Sequence, residues 1–355
     1  MIRRPDGMRG ATMTGTGMYV PDRVLTNRDL EHMVETSDEW IRERTGIRER
    51  RIAAPDQASS DLALVAAQRA LESAGLSPKD VDQIVLATTT PDRFLPSCAC
   101  TVQAKLGAVN AAAYDVFAAC TGFVYGLGIA RGIIGTGQAD TVLVIGVETL
   151  SRIVDYTDRN TCVLFGDGAG AAVLQPCAEG DGILAISMGS DGSLGEVLEI
   201  PAGGSSCPAS AGTVQARGHF IKMRGRELFK VAVRAMEESV RRTLEAAELT
   251  VVDIDLLVPH QANQRILDAV RERLGLPDEK VIANIERYGN TSSASIPISL
   301  DEVVREGRLK PGDHVSLAAF GGGATWGASL VRWTQPAPLK PALAVPAAAV
   351  REGGR

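Results

Sequence analysis

Cys120 lies in Ala118-Ala119-Cys120-Thr121-Gly122-Phe123, where an apolar strand pattern gives way to a small-residue, glycine-rich helical one. At a helix start a thiol meets unpaired N–H groups and the positive end of the helix dipole, which favour thiolate, and Gly122 leaves room for an acyl group. The commonest fate of a free cysteine is packing. Its company argues for chemistry: His260 in Pro259-His260-Gln261-Ala262-Asn263, and Asn290 in Tyr288-Gly289-Asn290-Thr291-Ser292. Two reaction plans use these three side chains. In a thiol hydrolase, His is the base for Cys and Asn orients the imidazole, in this same chain order. In a decarboxylating thioester condensation, Cys carries an acyl group while His and Asn donate to the carbonyl of a second thioester and stabilise the enolate left by carbon dioxide. The second plan needs no acid, and a carboxylate in that place would oppose the enolate.

Residues so far apart must be brought together by the fold, and an internal repeat shows how. Leu71-Glu72-Ser73-Ala74 and Asp80-Val81-Asp82-Gln83-Ile84-Val85-Leu86 recur as Leu244-Glu245-Ala246-Ala247 and Asp253-Ile254-Asp255-Leu256-Leu257-Val258, 173 residues on in both cases (71 to 244, 80 to 253). The same offset pairs Asp140-Thr141-Val142-Leu143-Val144-Ile145 with Asp313-His314-Val315-Ser316-Leu317-Ala318. Each copy is an amphipathic helix, a turn and an apolar run of strand length. Such runs predict mostly parallel sheets covered on both faces. Two stacked halves make an α/β class, duplicated, five-layered α/β/α/β/α body, with ligands at the carboxyl ends of equivalent strands. Cys120 belongs to the first half and His260 and Asn290 to the second. Asn290 is expected to be the rough counterpart of Cys120.

The chain divides into an N-terminal extension (1–10), a first half (11–178), connecting loops (179–217) with a short strand pair, a second half (218–333) and a Pro/Ala tail (334–355) expected to be disordered. With 355 residues and 45% of them apolar it can bury a large core, while a net charge of −6 gives no general reason to bind nucleic acid or an anionic membrane. Arg3 and Arg4 have no apolar run after them, so no signal peptide is expected. The apolar stretch 108–137 contains Asp115 and Arg131 and reads as a buried strand and helix. Six cysteines (98, 100, 120, 162, 177, 207) lack metal-ligand spacing and a secretory setting, so no metal and a reducing cytoplasm are expected. Gly166 to Gly170, without a Lys, is read as close strand packing and not a phosphate cradle.

Seven segments in order closely resemble the β-ketoacyl-[acyl-carrier-protein] synthase III family of the thiolase superfamily. They are Thr36–Trp40, Arg44–Arg50, Ala119–Phe123, Phe165–Ala171, Val258–Asn263, Gly289–Ser292 and Phe320–Gly327. The resemblance runs from about residue 11 to about 333. It implies a thiolase-like fold, a homodimer, and the condensation of acyl-CoA with malonyl-[acyl-carrier protein] that opens type II fatty acid synthesis. It gives Cys120 the acyl-accepting role and His260 with Asn290 the enolate-stabilising one. Backbone N–H groups of Cys120 and of Gly321, Gly322 and Gly323 would hold the oxyanion. It implies that Trp40, Arg44 and Arg159 grip coenzyme A and that Asn263 lines the pantetheine tunnel. No cofactor is implied, since coenzyme A arrives as a substrate.

An acidic carrier protein requires a local basic face on this acidic chain. The candidates are Lys222, Arg224, Arg226, Lys230, Arg265 and Arg273, of which Lys230 and Arg265 match docking positions of the family; Glu272 stands where the family often has Lys. Leu95, before Pro96-Ser97, matches a residue that reaches the partner subunit's acyl pocket, where Phe accompanies acetyl primers. The smaller Leu95 predicts room for branched or longer primers. A secondary-metabolic relative sharing Cys120 is the near alternative, and a Cys-His-Asn thioester hydrolase the alternative of another class. A degradative thiolase needs a second cysteine in the second half, and none follows Cys207.

Overall fold

A computed structural model describes residues 8 to 335. Its first sheet contains β1 (Gly10–Tyr19), β2 (Gln83–Ala87), β3 (Ala112–Val116), β4 (Val142–Thr149) and β5 (Asp167–Cys177), in the order β1-β5-β4-β2-β3. The second contains β6 (Gly182–Ser190), β7 (Leu256–Pro259), β8 (His314–Gly321) and β9 (Thr325–Arg332), in the order β7-β8-β9-β6. The repeat is visible in the strand registers. Gln83 faces Val142 in the first sheet and Leu256 faces Val315 in the second, each partner shifted by the offset of 173. Where β3 flanks β2, the second half keeps only a single bridge between Leu257 and Val281.

Seven helices matter for the layers: α1 (Asp38–Thr45), α2 (Ser59–Ala74), α3 (Cys98–Leu106), α4 (Gly122–Gly135), α5 (Gly225–Ala246), α6 (Gln264–Leu274) and α7 (Ser295–Arg305). Helices α2 and α3 cover the outer face of the first sheet and α5 and α6 that of the second, while α4 and α7 touch both sheets and form the middle layer. The result is the expected α/β/α/β/α body. A middle helix must bury apolar residues on most of its surface, and in α4 Phe123, Val124, Leu127, Ala130 and Ile134 are fully buried. It also needs small residues, because a Cβ on Gly126 would sit 2.8 Å from Val144. The offset aligns Gly122, the first residue of α4, with Ser295, the first of α7.

Two expectations change. Only the β2–β3, β2–β4 and β7–β8 pairs are parallel, so both sheets are mixed. Continuous apolarity reports burial on both faces and is silent on strand direction. Residues 179–217 are more than connecting loops, since β6 pairs with β9 from Gly182 to Ser190 and the second sheet is already under way there. The glycines at both ends of that strand make it read as a turn-rich segment. The tail from 336 and residues 1–7 lie outside the described residues, and so does the disorder expected of that tail. Stretch 108–137 contains β3 and α4, and among the described residues no helix is long and apolar enough to cross a membrane.

Candidate active site

Cys120 sits on a tight elbow. Ala119–Thr121 forms a single 3-10 turn that runs into α4, with Ala119 held at φ 46°. A left-handed non-glycine residue costs about 1–3 kcal/mol and persists only where its surroundings impose it. Here Thr121 Oγ1 donates to Ala118 O at 2.8 Å and meets Thr325 Oγ1, which itself bonds Ala118 O at 3.1 Å, tying the elbow to β9. Gly321 comes in from β8, and a Cβ there would lie 2.7 Å from Cys120 N. Only glycine permits that approach.

A second elbow faces the first. Ser292–Ala294 is again one 3-10 turn, leading into α7, with Ser292 at φ 48°. The offset pairs Ser292 with Ala119 and Ser293 with Cys120. Ser293, not Asn290, is therefore the counterpart of Cys120, and Asn290 corresponds to Phe117. The sequence comparison missed this because Asn290 lies three positions before Ser293 and no aligned pair in the two elbows has the same side chain.

His260 follows β7, its N–H donating to Ala318 O at 2.8 Å. Its Nδ1 is 2.7 Å from Ser295 Oγ, which also takes the Gln261 N–H at 3.3 Å and lies 2.9 Å from Ser292 O. The ring is 1% exposed, and burial drops its basicity to about 3, so the imidazole is neutral. Asn290 is held by its backbone, N–H to Leu164 O at 2.8 Å and O from Gly166 N at 3.0 Å. Its Oδ1 accepts the Ser292 N–H at 2.9 Å, which leaves Nδ2 as a donor for the cavity. The buried Arg50 donates to Val163 O, Leu25 O and Asn27 Oδ1 and braces the segment that carries Leu164.

Two cavities meet at Cys120. One, about 110 Å³, is lined by His260, Asn290, Asn263, Phe229, Met223 and Gly321. The other, about 390 Å³, is mainly apolar, with Phe117, Leu150, Ile153, Leu198, Ile200 and Ile221 on its walls together with Gly322 and Gly323. Phe165 and Leu198 belong to both. The thiol is 7% exposed, and burial pushes it up to about 12; the Ser292 hydroxyl and its own N–H oppose this while Glu148 adds to it. Burial of the thiol thus opposes the thiolate that the helix start favours.

Beyond the narrow cavity, Trp40 on α1 lies under two guanidiniums, with Arg159 Cζ 4.8 Å and Arg44 Cζ 5.6 Å from the ring centre. Ser37 caps α1 by accepting from Trp40 N, which fixes the indole's helix turn. Asn263 caps α6 through Arg265 N at 2.9 Å and donates to Arg44 O at 3.1 Å, joining this group to the cavity wall. Arg226, Lys230 and Arg265 are exposed on α5 and α6, Arg224 at the start of α5 pairs with Glu196, and Lys222 is half-buried beside Glu199. Arg273 stands apart at the far end of α6, where Glu237 holds its Nε at 2.5 Å. Leu95 is 85% exposed and lines neither cavity of its own chain. Among the described residues no group of three or more His, Cys, Asp or Glu is placed to hold a metal. Sequence reasoning missed Ser292, Ser295, Phe165 and Glu148. The last left a signal, being the one acid in the apolar run 142–147 and its continuation to Leu150.

A nucleophile on an elbow, facing His and Asn from the other half of a duplicated α/β/α/β/α body, defines a thioester-condensing enzyme of the thiolase type. Family models for 3-oxoacyl-[acyl-carrier-protein] synthase III match residues 114–192, and for its C-terminal part residues 244–333. A beta-ketoacyl-[acyl-carrier-protein] synthase III of Caldanaerobacter subterraneus is 55% identical over 92% of this chain and 98% of its own. The crystal structure of 3-oxoacyl-[acyl-carrier-protein] synthase III from Aquifex aeolicus superposes with a TM-score of 0.85 at 51% identity, covering 91% of this chain and all (100%) of the other. The priming beta-ketosynthase of the R1128 polyketide pathway gives 0.87 at 36% identity, covering 95% and 100%. The chain belongs to the β-ketoacyl-[acyl-carrier-protein] synthase III family.

Proposed function

We propose that Cys120 carries the acyl group of this family's reaction and that His260 and Asn290 stabilise the malonyl enolate. The reaction joins acyl-CoA to malonyl-[acyl-carrier protein], giving 3-oxoacyl-[acyl-carrier protein], coenzyme A and carbon dioxide. The observation that carries the assignment is the convergence of all three side chains on one narrow cavity that meets a second, apolar one at the thiol.

In the first step the Cys120 sulfur attacks the thioester carbonyl, the C–S bond to coenzyme A breaks, and the thiol proton leaves with the coenzyme A sulfur. The N–H groups of Cys120 and of Gly321 to Gly323 would hold the oxyanion of this step. The acyl chain extends into the 390 Å³ cavity. In the second step malonyl thioester enters from the narrow side. Asn290 Nδ2 and His260 Nε2 donate to its carbonyl as carbon dioxide departs; the Ser295 hydroxyl, which donates to Ser292 O in the resting chain, turns to Nδ1 so that Nε2 holds the ring proton. The enolate carbon then attacks the acyl-Cys carbonyl, a C–C bond forms, and the Cys120 thiolate leaves. Removing one such donor typically costs about 10²–10³ in rate.

Trp40, Arg44 and Arg159 would hold the adenine and phosphates of coenzyme A, with Asn263 along the pantetheine. Arg224, Arg226, Lys230 and Arg265, with Lys222 behind them, would meet the acidic carrier; Arg273, already paired, contributes least. Phe94, Leu95 and Phe117 are 75–88% exposed on one chain, which supports a homodimer in which Leu95 completes the partner's acyl pocket. A cytoplasmic setting follows from these substrates. The likeness to a polyketide priming ketosynthase keeps a second reading, the priming of such a line through the same acyl-Cys120.

Mass spectrometry of the protein after a panel of acyl-CoAs, then after malonyl carrier, tests the proposal. Cys120→Ser should carry no acyl group. His260→Ala and Asn290→Ala should load normally and fail to release carbon dioxide. Loss of loading in all three would move the assignment to the hydrolase plan, and loss of the acyl group to water without malonyl carrier would do the same.

A further inference from the structure

Glu148 closes β4 with a carboxylate that is fully buried and faces no cation. Six donors converge on it. Thr88 Oγ1 (3.4 Å), Thr89 N (3.1 Å), Thr89 Oγ1 (3.0 Å) and Thr90 Oγ1 (2.7 Å) reach Oε2 from the first half. Ser292 Oγ (3.1 Å) and Ser293 Oγ (3.0 Å) reach Oε1 from the second. A buried carboxylate is costly unless its hydrogen bonds are complete, and one so fully supplied is a rigid joint between the elements that supply it.

The repeat says what the joint replaces. The offset pairs Glu148 with Gly321 and Ser293 with Cys120. At the first elbow Gly321 carries no side chain, and the Cys120 backbone packs where a Cβ would lie, 2.7 Å from Cys120 N. At the second elbow the corresponding position carries the Glu148 side chain, which holds Ser292 and Ser293. One elbow is thus seated on bare backbone and the other is clamped by a side chain.

The clamp acts on one residue, Ser292, which sits at φ 48° and is the hub of the donor pair. Its N–H fixes Asn290 Oδ1 at 2.9 Å. Its carbonyl lies 2.9 Å from Ser295 Oγ, which is 2.7 Å from His260 Nδ1. Its hydroxyl is bound to Glu148. We infer that Glu148 is a positioning residue for the condensation half-reaction, locking Ser292 in its left-handed conformation so that Asn290 and His260 present their donors to one thioester oxygen. Hydrogen bonds between Glu148 and the Ser292 and Ser293 hydroxyls hold the turn against the strain of its backbone. The Cys120 elbow has its own backbone supports in Thr121, Thr325 and Gly321, and only the Ser292 hydroxyl joins its thiol to Glu148, so acylation depends on Glu148 less.

The inference rests on the roles given above to His260 and Asn290, and the experiment separates the two. Acyl loading of Cys120 and decarboxylation of malonyl carrier are measured for Glu148→Gln, Asn290→Ala and the double variant. Glu148→Gln keeps the side-chain shape and replaces the oxygen facing one set of donors by an amide. Its decarboxylation rate should fall at least tenfold with the carrier KM unchanged, while loading stays within threefold. Because Glu148 works through Asn290 as well as His260, the double variant should lose less than the product of the two single losses. Equal loss in both half-reactions, or losses that multiply in the double variant, would mean a merely structural carboxylate and overturn the inference. Decarboxylation within threefold of the parent would overturn it too. Should Glu148→Gln fail to fold, Ser292→Gly decides, because glycine accepts φ 48° and removes the hydroxyl that Glu148 holds; that hydroxyl also reaches the Cys120 thiol, so loading is measured beside decarboxylation, the ratio of decarboxylation to loading should again drop at least tenfold, and an unchanged ratio overturns the proposal. If Asn290→Ala itself decarboxylates normally, the assignment of the donor pair has failed, not the role of Glu148.

Discussion

Asn290→Asp changes one amide nitrogen to oxygen and asks whether this position must donate. The backbone of residue 290 is pinned on both sides, to Leu164 O and from Gly166 N, and Ser292 N–H claims one side-chain oxygen. The other oxygen of Asp must then face the cavity where Asn presents Nδ2. Two losses follow. Removing a donor to the developing enolate costs about 2.7–4 kcal/mol, or 10²–10³ in rate. Placing a carboxylate about 4 Å from that oxygen adds up to about 4 kcal/mol at an effective dielectric constant near 20. Asn290→Ala suffers the first loss alone, so Asp should be worse than Ala by up to about a further 10³. The site is buried, which raises a carboxyl, and a protonated Asp regains an O–H donor. Decarboxylation by Asn290→Asp should therefore rise as the pH is lowered, where Asn290→Ala stays flat. Carbon dioxide release from malonyl carrier on pre-acylated protein measures this, with mass spectrometry confirming that Cys120 loads in both variants. Asp equal to Ala at every pH, or within tenfold of the parent, would refute the reasoning that the position acts by donating to an anion.

Gly321→Ala places a methyl 2.7 Å from Cys120 N and should cut acyl loading at least tenfold while lowering stability by about 1–3 kcal/mol, seen by thermal unfolding. Burial holds the Cys120 thiol near 12, so the thiolate fraction is small at neutral pH and grows with pH; iodoacetamide alkylation of the free protein should accelerate about tenfold per unit from pH 7 to 9. Trp40→Ala removes the ring that lies under Arg44 and Arg159 and should raise the KM for acyl-CoA about 10- to 100-fold, as a lost stacking partner worth about 1–3 kcal/mol implies, with malonyl decarboxylation untouched. Leu95→Phe should shift kcat/KM from branched toward acetyl primers by about tenfold, a methylene or two of pocket room being worth about 1–3 kcal/mol.

The chain carries its own large-scale plan. Offset repetition of helix, turn and apolar run was enough to place Cys120 in one half and His260 and Asn290 in the other, and to predict five layers. That information is legible because hydrophobic periodicity and turn chemistry are local properties of a sequence. Strand direction was not legible, since a run such as Val142–Val147 is apolar whether its neighbour is parallel or antiparallel. Nor was the state of Cys120. A helix start near a thiol suggests thiolate, but burial between two sheets is a sum over residues from 87 to 321 and pushes the thiol the other way. Tertiary structure alone also revealed the second elbow. Ser292 shares no chemistry with Ala119, and their equivalence appears only as the same left-handed turn at the same place in each half. Residue types and order thus determined which groups react; packing decided how each is held, because a donor's aim depends on neighbours such as Glu148 and Ser295 that lie far from it along the chain.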